Sequence, residues 1–293
     1  MSFHALEDAW SSHDGHAMRE RQATPFYDAW WFEPFVATMS FAVWVHIYWY
    51  LERRQGRSRS PKLFCSQNFD FSLGDLNMSF MAYWIGISML QYWRQQSQTT
   101  NASAMHASRS LLTPTDAQSV VLLVLEVAAG IFAYDALFFV IHLLMHQNRT
   151  IANIMDHRRH HSLQTTHGRS LEARDVLRHS LLDGSLQVLC NIGIQQYNPW
   201  GTRKTKLARM LHNCIVTWML TESHTSTPDF YVWRRWCVGV REHRLHHFGM
   251  KPHRMQQFFG YLDDWWFGDR HGDDNGCDGK QAPPADSSKQ KRI

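Results

Sequence analysis

Cysteine is scarce and unpatterned. The five residues, Cys65, Cys190, Cys214, Cys237 and Cys277, are odd in number and form no CxxC pair. This argues against a disulfide framework and against a cysteine-based zinc site. Excess charge is missing too. The 293 residues carry a formal net charge of +4, and their basic residues form no long stripe, which argues against nucleic acid as a partner. Met1 to Asp14 is polar and acidic, so it does not read as a cleavable signal peptide. The Glu and Glu-x-x-His pairs with which soluble bundles hold two metals have no counterpart in this chain.

Histidine is what the chain has instead. His142-Leu-Leu-Met-His146 is an HxxxH group, His157-Arg-Arg-His160-His161 is HxxHH, and His243-Arg-Leu-His246-His247 repeats that spacing. Positions i, i+3 and i+4 share one helix face, so each group aims its imidazoles one way. A basic, His-rich segment is more often a solvated face. That reading leaves the repeated spacing unexplained, as well as the placement of the first group at the end of a long apolar run. Neutral imidazole is the commonest side-chain metal ligand, and eight or more suit two ions better than one.

Mean hydropathy is −0.40, but the average hides long apolar runs. Phe32 to Leu51 has about 20 residues, enough to span ~30 Å of hydrocarbon. His46 lies inside that run and reads as packed or snorkelling rather than ligating. Arg53, Arg54, Arg57, Arg59 and Lys62 follow at once, which makes this loop cytoplasmic by the positive-inside rule. Phe71 to Trp93 reads as a second span returning to the lumen. The Ser/Thr/Gln-rich loop after it holds the sequon Asn101-Ala-Ser103. Ala117 to His146 is longer than a bilayer requires, so His142 and His146 stand clear on the cytoplasmic side. Asp135, two turns earlier, is costly at that depth without a partner, and a ligand imidazole is the expected one. Leu181 to Ile194 and Leu207 to Thr221 form a hairpin around Tyr197-Asn-Pro-Trp-Gly201. All the histidine groups then share one side. Pairs such as Trp30 and Trp31 or Trp265 and Trp266 flank apolar segments, as membrane interfaces favour. The expected organisation is a lead-in over 1–31, a transmembrane hairpin over 32–116, a catalytic domain over 117–271 and a disordered tail over 272–293.

HxxxH, HxxHH and a distant HxxHH beside apolar helices resemble the fatty acid hydroxylase/sterol desaturase superfamily from about Glu126 to Gly268. Asp135 matches its Asp-x-x-x-(Tyr/Phe)-x-x-His run. Glu222-Ser-His224 is similar to its extra histidine segment, and Asp264-Trp-Trp-Phe-Gly268 to its closing motif. His179-Ser-Leu-Leu-Asp-Gly-Ser-Leu-Gln187 is similar to a segment of C-5 sterol desaturases. Leu143, Gln257-Phe-Phe-Gly260 and Leu163 to Arg174 depart from the family's pattern.

The resemblance implies an all-α, polytopic membrane protein whose cytoplasmic histidine-rich cap holds two non-haem iron ions, with zinc possible in the isolated protein. The implied ligands are His142, His146, His157, His160, His161, His179, His224, His243, His246 and His247, with Asp135 as a catalytic candidate. The implied reaction is dioxygen-dependent hydroxylation or desaturation of a lipid, sterol or fatty acyl. The chain has no His-Pro-Gly-Gly haem segment, so a separate cytochrome b5-type donor is implied. The terminal Lys289-Gln-Lys291-Arg-Ile293 resembles a dilysine signal for the endoplasmic reticulum. The alternatives are a metal-binding membrane protein without oxygen chemistry and an inactive relative of the family.

Overall fold

The computed structural model describes residues 26, 29–56, 76–99, 117–158, 160–161, 171–196, 204–225, 232–248 and 253–268. Among them every regular element is helical and no strand occurs. In chain order the helices are α1 (Phe32–Arg54), α2 (Leu76–Thr99), α3 (Ala117–Gln147), α4 (Arg149–Met155), α5 (Leu181–Gln196), α6 (Lys206–His224), α7 (Val238–His247) and α8 (Tyr261–Phe267). Short 3-10 turns occupy Ala173–Leu177 and Trp233–Arg235. The start of the lead-in, the basic loop from 57, the Asn101 sequon, the turn around Pro199 and the tail with its dilysine-like end lie outside the described residues.

Within the described residues, the apolar runs read from the sequence form helices. Among the described residues, α3 alone is both long and apolar enough to cross a bilayer, with 31 residues and a mean hydropathy of 2.1 in its most apolar stretch. α1 and α2, with 23 and 24 residues, reach about 35 Å but are more polar.

α1 runs parallel to α6, because their contacts climb together in number. Arg209 grips Glu33 through two nitrogens at 2.7 and 2.8 Å. Ser40 meets Thr217 at 3.1 Å, Trp44 stacks on Trp218 at 4.3 Å, and Tyr48 donates to Glu222 at 2.9 Å. On its other side α6 meets α3: Val127, Ile131 and Tyr134 pack with Ala208, Val216 and Met219. Polar groups therefore point inward, while Phe35, Met39, Val43 and Ile47, spaced four apart, leave one face of α1 apolar and exposed.

Local signals position the histidine-bearing turns. Asn148 interrupts the chain after α3, and its side chain caps α4 by accepting from Thr150 and Ile151 at 2.9 and 3.1 Å. Asp156 takes a left-handed conformation, φ 50°, and ends α4. The chain thereby turns back at once, bringing the helical residues 157–158 and 160–161 against the end of α3. α7 presses on the 258–259 backbone at Gly239, where a Cβ would stand 2.4 Å from the Phe259 carbonyl oxygen. No larger residue lets these two segments approach so closely.

Candidate metal centre

Eight imidazoles converge in two groups. His142, His146, His161 and His246 form one; His160, His224, His243 and His247 form the other. Within each group the ligand nitrogens lie within 4.8 Å of one another. Each HxxHH turn serves both groups: His161 and His246 belong to the first, while His160, His243 and His247 belong to the second. His146 is exposed and the other seven are buried, so the first group has a solvent-facing edge.

Hydrogen bonding decides what the facing nitrogens carry. His142 donates from Nδ1 to the Met255 carbonyl at 2.7 Å, His160 to that of Arg178 at 2.9 Å and His224 to that of Leu220 at 2.8 Å. His157 donates to Asp183 at 3.0 Å. These partners only accept, so the proton of each neutral ring is fixed on Nδ1 and Nε2 is left as a bare lone pair. Nε2 of His160 and Nε2 of His224 then face each other at 3.4 Å with no proton between them. Two lone pairs held at that distance, on side chains 4 % and 1 % exposed, repel unless a cation lies between. Ligands about 2.0–2.1 Å from one tetrahedral ion are themselves ~3.3 Å apart. The donor set therefore fits a metal ion. Close Nε2 pairs recur at 3.1 Å between His142 and His146, 3.2 Å between His146 and His246, and 3.1 Å between His243 and His247.

Burial first, then the neighbouring imidazoles, holds His160, His161, His243 and His247 well below the ordinary imidazole range. All four are neutral near pH 7, the form that binds metals. Imidazole suits zinc, copper, iron and nickel alike, so the donor set supports a metal without choosing one.

No protein-family model, curated protein or solved structure matches this chain.

The two remaining candidate ligands flank the groups. His157 presents Nε2 to Nε2 of His161 at 3.2 Å, beside the first group. His179 stacks on His160 at 4.2 Å between ring centroids, beside the second. His46 bonds to its own helix through the Ala42 carbonyl, consistent with a packed residue. His253 is exposed and rests on Phe267.

Asp135 does not have the imidazole partner expected of it. Its carboxylate accepts from the backbone N–H groups of Gln257, Phe258 and Phe259 at 3.0, 2.8 and 3.1 Å, and from the Gln256 side chain at 2.8 Å. Seven residues along a helix is about 10 Å, too far for direct contact with His142. Asp135 instead fixes the loop whose Met255 carbonyl orients His142. It is a positioning residue rather than a catalytic one. Asp263 grips the same loop through the N–H groups of Met255 and Gln256 at 2.8 and 3.0 Å.

Asp183 is the residue that reasoning from the sequence missed. It is fully buried, and its Oδ2 accepts from both His157 and His179. Its position four residues after His179 and four before Gln187 was the available signal. Gln187 donates to its Oδ1 at 2.9 Å.

A cavity of about 390 Å³ opens beside His179 and Gln187, within the size range of small-molecule sites. Its walls are mainly apolar, with Phe41, Tyr83, Leu90, Val188, Ile192 and Leu220 among them.

Proposed function

We propose that this chain is a membrane-bound di-iron oxygenase that hydroxylates or desaturates a lipid, drawing electrons from a separate donor. What carries the reading is the pair of imidazole groups together with an apolar cavity that opens at His179, whose ring stacks on His160 of the second group. The paired metal ions, when bound, would activate dioxygen for removal of hydrogen from an unactivated C–H bond. In hydroxylation, R–H, O2, two electrons and two protons give R–OH and water. In desaturation the same inputs take two hydrogens from adjacent carbons and give two waters.

The chain's own residues supply holding, orientation and dryness. Eight to ten imidazoles hold the ions, and the tautomers of His142, His160, His224 and His157 are set by the carbonyls of Met255, Arg178 and Leu220 and by Asp183. Phe41, Leu90, Ile192 and Leu220 give an acyl chain or ring system a surface that excludes water. The exposed edge at His146, flanked by exposed Arg149 and Arg158, suits an acidic, cytochrome b5-type electron donor.

The membrane setting is supported by the inside-out distribution of polarity. Phe35, Met39, Val43 and Ile47 on α1, and Val121, Val124, Phe132 and Val140 on α3, face outward, while Asn191, Asn213 and Thr217 are buried. Lipid satisfies such a surface and water does not. In this reading α1, α2 and α3 span, α5 and α6 form a hairpin, and the metal groups lie at the cytoplasmic face of the endoplasmic reticulum.

The test is turnover by iron-loaded protein in vesicles with an electron donor, oxygen and extracted membrane lipids. A product one oxygen heavier or two hydrogens lighter than its parent is expected, and only with oxygen. Val188→Trp, which fills the cavity, should cut turnover at least about tenfold, roughly 1.4 kcal/mol, with metal content unchanged. No oxygen-dependent product from any lipid class, with both ions present, would refute the activity.

A further inference from the structure

Asp183 joins the two flanking imidazoles, one beside each group, through a single oxygen. Its Oδ2 accepts from Nδ1 of His157 at 3.0 Å and from Nδ1 of His179 at 3.3 Å. The far nitrogen of His157 looks into the first group, 3.2 Å from Nε2 of His161. The ring of His157 also lies 4.9 Å from His142 and 5.1 Å from His146. His179 lies flat on His160 of the second group at 4.2 Å. The carboxylate has little freedom of its own. It is fully buried in the first turn of α5, its backbone N–H donates to the Ser180 hydroxyl at 3.1 Å, and Gln187 holds its other oxygen.

We propose that Asp183 couples the two groups into one loading unit, so that filling either group prepares the other. The proposal rests on the metal-binding reading above. An ion drawn to the first group polarises His157 and tightens its bond to Asp183. That fixes the oxygen against which His179 is aligned. The same influence runs from His179 back to His157. The chain adds two further ties: His160 and His161 are neighbours in different groups, and so are His246 and His247. Ordering either HxxHH turn for one ion orders it for both. A buried carboxylate bonded to the two imidazoles that flank the groups also offsets part of the repulsion between two dications. Outer-shell carboxylates of this kind typically change metal affinity by about 10–100-fold. Here one carboxylate would act on two ions at once.

Zn2+ is the probe, added to metal-free full-length protein against a chelator of known affinity, with ions per chain read by elemental analysis. Wild type should take up two. Asp183→Asn keeps the shape and an accepting oxygen but not the charge. Both ions should leave this variant at chelator concentrations about 10–100-fold lower, and they should leave together. Loss of only one ion, or retention of both at wild-type affinity, would overturn the coupling while leaving the metal centre intact. A wild-type chain that takes up no zinc would overturn the centre and the coupling with it. A second measurement needs no variant. Native mass spectrometry of wild type given half its zinc should show metal-free and two-zinc species, with one-zinc species in the minority. Predominance of the one-zinc species would overturn the proposal even if Asp183→Asn fails to fold.

Discussion

His160→Ala should bring the metal content from about two ions per chain to one or fewer and abolish turnover. His160 contributes one of the two lone pairs that face each other at 3.4 Å, and its ring packs on His179, His224 and His247. Losing an outer-shell partner typically costs about 10–100-fold in affinity or activity, so losing a direct ligand should exceed that. His246→Ala removes a ligand from the other group and should act the same way. His253→Ala is the control, since its exposed ring lies in neither imidazole group and rests against Phe267, and its loss should change neither metal content nor turnover. Elemental analysis and product formation on the three variants check this. Full metal content in His160→Ala would mean that the second group is not a metal site.

Asp135→Ala should be the most destabilising single change outside the ligands. The carboxylate accepts four hydrogen bonds in a fully buried position. Each buried donor left unsatisfied costs about 1–3 kcal/mol, so the variant should lose on the order of 3 kcal/mol or more. Its loop also presents the Met255 carbonyl to His142, so metal affinity of the first group should fall with the stability. A thermal midpoint and a zinc titration in the same detergent read both effects. Asp135→Asn keeps the shape and one accepting oxygen, and should retain more of each. A wild-type midpoint in Asp135→Ala would show that the 256–259 loop does not depend on this carboxylate.

The histidine turns were legible because helix geometry converts spacing into direction. HxxxH presents both rings to one group, whereas the HxxHH turns divide theirs between two. The sequence could not show how the turns share their ligands, since adjacent residues such as His160 and His161 diverge to different groups once three segments are packed. His224 emerged through its similarity to a known segment, and the structure seats it at 3.4 Å from His160. The cost of a buried carboxylate marks Asp135 as important from the sequence. Its partners do not show there, because backbone N–H groups more than 120 residues away leave no mark in a local pattern. Asp183 lies within the segment similar to C-5 sterol desaturases, but its double contact depends on how α5 docks against the 157–161 turn. The five long helices are legible from apolar length; the short α4 and α8 are not. The cavity was not, because it lies between α1, α2, α3, α5 and α6 and belongs to their packing.

Whether the facing imidazoles are metal ligands is read from the metal content of the full-length protein, purified in mild detergent without added chelator, by elemental analysis against protein concentration. Close to two transition-metal ions per chain are expected, matching two groups of four imidazoles. A chain folded with the same helix content that carries no metal, and takes up neither Fe2+ nor Zn2+ when offered them, would contradict it.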